Sequence, residues 1–286
     1  MSGAPDMAVG SPRYRLAHYP FGRKIQLRRR YDWDAQAYFL RAELAGSSLS
    51  MVERSNVSAF IRGLKDVGAW ASLVEGWTLR AGQNLGTGSV ALGLKGVNGT
   101  LMNGPTWGAN GITSVGAASS VDVALPLNGT DVQRLTLFFC YQAPQGNVIG
   151  GFATVPTWGP QYWWMFYHNW WNQLQNGWGL CNSSAAWVST MLGDSAGYAE
   201  TGFQAQQLTY RVGAAPSGLR NGQAAYGFTY GNAQAPFAAA TSMTGLRLGD
   251  YQASGFTSAF FGFFLADVPN LYALYRRTIG QGLGLA

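Results

Sequence analysis

Six tryptophans fall in the single run PTWGPQYWWMFYHNWWNQLQNGW (156–178), and five of them, Trp163, Trp164, Trp170, Trp171 and Trp178, stand out together with Asn169 and Asn172. Flat apolar rings bordered by amides suit a sugar, whose C–H face stacks on the ring while its hydroxyls pair with Asn and Gln. These seven residues are the candidate carbohydrate contacts. The same rings equally suit a sandwich core or a subunit interface, where Trp and Tyr are enriched, and that reading stands beside the first. Hydrolytic chemistry finds less to work with. Glycoside hydrolysis needs two carboxyl groups about 5–9.5 Å apart. Between Gly76 and Ala286 the only glutamate is Glu200, and Asp122, Asp131, Asp194, Asp250 and Asp267 are isolated. His168 has no partner at catalytic or ligand spacing, His18 lies near the start, and G-x-S-x-G is absent. No catalytic residue is assigned, and the chain is not expected to be an enzyme. Cys140 and Cys181 form neither a disulfide framework nor a metal spacing, so buried free thiols, no metal and no cofactor are expected.

Charge is concentrated at one end. The net charge is +6 over 286 residues, and charged residues make up only 11 %. All of the imbalance sits in residues 1–30, where Arg13, Arg15, Arg23, Lys24, Arg28, Arg29 and Arg30 face the single Asp6. Pro5, Pro12 and Pro20 interrupt regular structure there, while Tyr14, Leu16, Tyr19, Phe21, Ile25 and Leu27 exceed what a purely solvating tail carries. Residues 1–30 are therefore read as an extended basic arm that buries those groups on other proteins while its arginines meet acidic side chains or phosphates, nucleic acid not being the expected partner; a solvated, disordered tail is the other reading. A surface with so little charge opposes association weakly, which points to a subunit of something larger, a homo-oligomer with a trimer favoured. No apolar h-region marks a secretory signal in this arm, and no stretch is apolar for the roughly 20 residues of a membrane span. The N-x-[S/T] triplets at Asn56, Asn98, Asn128 and Asn182 are then turn composition rather than glycosylation sites.

Two helices and then many strands must position these groups. DWDAQAYFLRAEL reads as a helix capped by Asp32 or Asp34, and S-M-V-E (50–53) is a capping box opening a second helix to about Asp66, with Gly68 as its stop. The following AWASLVEG reads as a short turn. This makes a hairpin over 31–76, too small to be self-standing, which must pack on a neighbour or on the rest of the chain. From Trp77 strands dominate. Four Asn-Gly pairs, at 98–99, 103–104, 110–111 and 128–129, read as tight hairpin turns, as does Asn221-Gly222. In VQRLTLFFCYQ, Leu135, Leu137, Phe139 and Tyr141 alternate with Thr136, Phe138 and Cys140, a strand apolar on both faces and hence central. QLTYRV alternates more cleanly, with Arg211 outward. In DVPNLYALYRR, Asp267 as cap and Pro269 in the first turn predict a closing helix that Gly280 ends.

GTLMNGPTW (99–107), Gly111-Ile112 and VDVALP (121–126) resemble the opening of concanavalin A-like, LamG-type jelly-roll domains. LRNGQ, LRLGDY and FTSAFFGFF are similar to later strands of that family. The resemblance implies a mainly β fold, an antiparallel jelly-roll sandwich over 77–268, with the arm (1–30), the hairpin (31–76) and a C-terminal helix and tail (269–286) outside it. It also exposes departures. The E-x-D-x-E strand of the family's glucanases is missing, and Ser119-Ser120 stand where a calcium-binding acidic pair is common, so no metal is implied. The whole layout is similar to phage virion proteins. That implies a structural subunit assembled in the host cytoplasm, as tail fibre, adhesin or capsid-associated protein, whose partners are other virion proteins and, through the tryptophans, a host-surface glycan. The other reading is a free bacterial LamG-like lectin or an inactive glycoside-hydrolase relative.

Overall fold

β8, Arg134–Gln142, is the strand on which the architecture converges. In the computed structural model the described residues are 30–115, 119–124, 127–128, 134–142, 148–153, 164–167, 176–181, 187–192, 202–211, 217–224, 228–230, 242–243, 245–248 and 257–285. Strands are numbered along the chain. The first sheet runs β15 (Gln223–Ala224), β14 (Ser217–Arg220), β13 (Gln204–Arg211), β8, β19 (Thr257–Phe264), β5 (Gly111–Thr113) and β4 (Thr106–Gly108), and β1 (Leu73–Thr78) also pairs with β19. The second runs β16 (Phe228–Tyr230), β12 (Trp187–Leu192), β11 (Asn176–Cys181), β10 (Trp164–Tyr167), β9 (Val148–Ala153), β18 (Gly245–Leu248), β6 (Ser120–Val123), β3 (Gly99–Met102) and β2 (Val90–Ala91). β7 (Leu127–Asn128) and β17 (Ser242–Met243) form a separate pair. Every pairing among these described strands is antiparallel.

The alternation of β8 divides two cores. On one face Leu135, Leu137, Phe139 and Tyr141 are buried with Leu208, Phe261 and Phe263, and Leu101, Val121 and Val123 of the second sheet are buried as well, so each sheet has a buried apolar face, as a sandwich requires. On the other face Phe138 and Cys140 join Phe260, Phe264 and Ala205 in a cluster shared with the helices. That cluster is filled by α1 (Trp33–Leu44) through Tyr38, Phe39 and Ala42, by α2 (Met51–Asp66) through Val57, Phe60, Ile61 and Leu64, and by α3 (Tyr272–Arg276) through Leu274 and Tyr275. The helices are thus a third layer built onto the outer face of the first sheet. Phe60 meets Phe260 edge to face with ring centroids 5.3 Å apart, and Gly63 lies against Leu274 so closely that a Cβ there would strike it.

The local signals of the hairpin are realised. Asp32 accepts from the Asp34 amide at 2.9 Å, Ser50 accepts from the Glu53 amide at 3.2 Å, and Gly68 follows α2 at a φ of +73°. Other expectations are corrected. AWASLVEG is not only a turn, because β1 begins at Leu73 and pairs with β19. Asp267 does not cap the closing helix and Pro269 is outside it: α3 spans five residues from Tyr272, and Asp267 instead meets Arg211. The helix ends at Arg276 and turns carry the chain past Gly280. Among the Asn-Gly pairs with both residues described, only Asn103-Gly104 and Asn221-Gly222 place both at positive φ. Gly99 is a strand residue of β3, where a Cβ would lie 2.7 Å from Val121 Cγ1. Asn128 belongs to β7, and Gly129 lies outside the described residues.

Candidate functional site

Of the tryptophans, Trp164 lies in β10 and Trp178 in β11, while Trp163, Trp170, Trp171, Asn169 and Asn172 lie outside the described residues. Pairing puts Trp164 opposite Phe152 and Leu180, and Trp178 opposite Phe166 and Thr190. Followed across β9, β18 and β6, that rank contains Leu246 and Val123, so both tryptophans occupy strand positions on the same face as buried Val123. Trp187, paired with Cys181, falls on the alternate positions. Of the arm's basic residues, Arg13, Arg15, Arg23, Lys24, Arg28 and Arg29 lie outside the described residues, and Arg30 is exposed.

The described residues hold a cleft that the sequence did not announce. It lies on the outer face of the first sheet, where β13 and β14 run past the helical layer toward the segment 267–270, and it encloses ≈ 390 Å³. Gln207 fixes its wall: the side-chain amide donates to the Val268 and Pro269 carbonyls at 3.1 and 3.2 Å, and its oxygen accepts the Leu271 amide at 3.0 Å. Asn270 does the same at the rim, donating to the Gly222 carbonyl at 2.8 Å and accepting from the Tyr272 amide at 3.0 Å. Thr136 reaches the Ala266 carbonyl at 2.7 Å and the Thr209 hydroxyl at 3.3 Å. Asp267 Oδ2 pairs with Arg211, and Arg134 stands 4.0 Å away. Asp267 Oδ1 is buried without a hydrogen-bond partner. Such a wall can bind and orient a polar ligand. The signal that could have revealed it is the pairing of Gln207 and Arg211 on one face of β13 with a D-V-P-N segment whose Asp267 caps no helix.

Glu75, one residue before the Gly76–Ala286 stretch, is a buried acid that its sequence context does not single out. Glu75 is fully buried on β1, where Oε1 accepts the Gly76 and Lys95 amides at 2.8 and 2.7 Å and Oε2 accepts the Val97 amide at 2.7 Å. Burial pushes its carboxyl above the usual range, against the downward pull of those amides and of Arg41. Trp77 donates to the Val97 carbonyl at 2.8 Å and Arg41 to the Gly93 and Leu94 carbonyls at 2.8 Å. Together they clamp the 93–97 loop, a structural use of a carboxylate. Ser119, in the stretch compared with a calcium loop, donates to the Asn103 carbonyl at 3.0 Å. Among the described residues no group of three His, Cys, Asp or Glu gathers as metal ligands, and no helix is long and apolar enough to cross a membrane. Cys140 is a free, buried thiol pushed up to about 12 by burial.

No protein-family model matches the chain, and no curated protein matches its sequence. Solved structures do share its fold. The receptor-binding domain of a botulinum neurotoxin C/D mosaic serotype superposes with a TM-score of 0.52 at 11% identity, over 72% of this chain and 51% of that one. The binding domain of botulinum neurotoxin serotype D gives 0.51 at 12%, over 72% and 52%. A Trypanosoma rangeli sialidase in complex with a difluoro-KDN gives 0.52 at 15%, over 79% and 39%. The chain spans about half the length of the toxin domains it matches. At these identities the likeness is one of fold, a β-rich architecture of stacked antiparallel sheets.

Proposed function

We propose that this chain is a non-enzymatic assembly and attachment protein: a LamG-type jelly-roll subunit of a bacteriophage virion, placed at the particle surface as fibre, adhesin or capsid-associated protein and engaging host glycans. Its basic arm and the outer side of its helical hairpin would hold it to neighbouring subunits, copies of itself included. The observation that carries this reading is the apolar outer side of that hairpin. Trp33, Leu40 and Leu44 recur at helical spacing along α1 with 54%, 57% and 81% of their surface exposed, and Met51 and Val52 add 63% and 66% at the start of α2. A helix that already buries Tyr38, Phe39 and Ala42 beneath it has no folding reason to be apolar above, and exposed apolar side chains at this spacing suit a contact with another molecule. The glycan half is supported by the fold shared with receptor-binding domains of botulinum neurotoxins, and by the polar cleft.

The test has two parts. Sedimentation velocity of the whole chain is expected to show an oligomer that Leu40→Asp with Leu44→Asp converts to monomer with an unchanged far-ultraviolet circular dichroism spectrum; a monomeric parent chain refutes the assembly contact. A mass spectrum of purified particles from cells carrying the gene is expected to contain the protein at fixed stoichiometry. Its recovery only as a free sugar-binding monomer would favour a lectin instead.

A further inference from the structure

We propose that α1 is the element through which two copies of this chain pair, antiparallel and about a two-fold axis, along the seam Trp33, Ala37, Leu40 and Leu44; this rests on the assembly reading above and gives it a partner and a register. α1 is apolar on two opposite faces. Ala35, Tyr38, Phe39 and Ala42 are buried against the body of the chain. Trp33, Ala37, Leu40 and Leu44 are all exposed, and their steps of four, three and four residues are those of alternating d and a positions in a coiled coil. In that heptad frame the buried residues fall at b, c and f, on the far side of the helix from the seam. A stripe of this kind is completed by a second helix laid along it.

Charge and size select a second copy as that helix. All three charged residues of α1 are matched within the chain. Asp34 pairs with Lys65 and Glu43 with Arg54, each at 2.6 Å, and the Arg41 guanidinium donates to the Gly93 and Leu94 carbonyls. A seam bordered by matched charges offers nothing to steer an acidic or a basic partner, and nothing to repel its own copy. Antiparallel pairing then sets Trp33 against Leu44 of the second copy and Ala37 against Leu40, so the smallest side chain of the seam meets a leucine. A parallel pair would stack Trp33 on Trp33 and leave Ala37 facing Ala37, one layer overfilled and the next underfilled. The two-fold axis passes midway between Ala37 and Leu40, and each contact is made twice. With only three turns of helix in the seam, the pair should be reversible and concentration-dependent.

Sedimentation velocity over a concentration series, together with disulfide mapping on the full chain, tests the pairing. The parent chain is expected to pass from monomer to dimer as concentration rises. Ala37→Arg, which places a good helix former at an exposed helical position, should stay monomeric throughout with an unchanged far-ultraviolet circular dichroism spectrum. For the mapping, every chain carries Cys181→Ser, and Cys140 is buried. Mild oxidation of differently tagged chains should link Ala37→Cys to Leu40→Cys. In the antiparallel register the two Leu44 positions lie about 16 Å apart along the axis, too far for a disulfide, so Leu44→Cys alone should stay unlinked. An oligomer that persists in Ala37→Arg, or in which Leu44→Cys links to itself, overturns this seam and register while leaving assembly intact. If Ala37→Arg fails to fold, the mapping decides, and absence of the Ala37→Cys to Leu40→Cys link overturns the pairing. A parent chain that is monomeric at every concentration overturns the assembly contact and the pairing with it.

Discussion

If the helical layer is part of the sandwich's own core, truncating Phe60 must destabilise the sheets as well as the helices. Phe60 is fully buried, and its ring meets Phe260 of β19 at 5.3 Å and Tyr275 of α3 at 6.3 Å, both edge on. Phe→Ala in a core costs about 3–5 kcal/mol through lost transfer energy and the cavity left behind. Two aromatic contacts, each worth about 0.5–1.5 kcal/mol, place this site in the upper half of that range. With a urea m-value of about 3 kcal/mol/M, a loss of about 4–5 kcal/mol lowers the midpoint by about 1.5 M. Urea titrations followed by far-ultraviolet circular dichroism and by near-ultraviolet signals should give coincident curves for the parent chain and coincident, shifted curves for Phe60→Ala. Leu40→Ala, on the exposed side of the same hairpin, should stay within about 0.5 kcal/mol at protein concentrations low enough to keep both chains monomeric. A cost below about 1 kcal/mol for Phe60→Ala, or helices that melt before the sheets, would refute the single-core argument.

Two further outcomes follow from the same interior. Gly63→Ala gains helix propensity of about 1 kcal/mol but drives its Cβ into Leu274, so it should destabilise alone and lose most of that penalty when combined with Leu274→Ala, a coupling that a double-mutant cycle measures. Burial pulls the Lys65 ammonium down, but its hydrogen bonds to Asp32 and Asp34 outweigh that and raise its pKa. A cation with a raised folded pKa stabilises below its unfolded value of about 10.4 and loses that contribution as pH climbs through the folded value. The stability difference between the parent chain and Lys65→Met should accordingly be flat from neutral pH upward and shrink only in strong alkali; a difference that vanishes near neutrality would contradict the pairing.

The features legible in the sequence were those whose physics is local or strictly periodic. Asp32 and Ser50 cap because their side chains reach amides two and three residues on, and the alternation of β8 shows because both of its faces are buried. Asn-Gly was a less faithful guide, since glycine serves close approach as well as turning. Gly99 leaves room for Val121, and Gly111, at a φ of +155°, lies against the Ser258 backbone. The closing helix was misplaced because Asp267 is drawn to Arg211, 56 residues earlier, and the Leu271 amide is taken by Gln207. The cleft was invisible for the same reason: its walls come from 207–219 and 267–270, and nothing in either segment names the other.

The placement of β19 also governs how the molecule can come into being. β1, β5 and β8 all take it as a neighbour, and the Trp77–Phe261 pairing joins residues far apart along the chain. During synthesis the phenylalanine-rich β8 must wait, with one edge open, until the strand that closes it has emerged. Such distant closure makes for slow acquisition of structure and prolonged exposure of sticky edges, a situation in which a chaperone, or an early encounter with sister chains, would decide the yield.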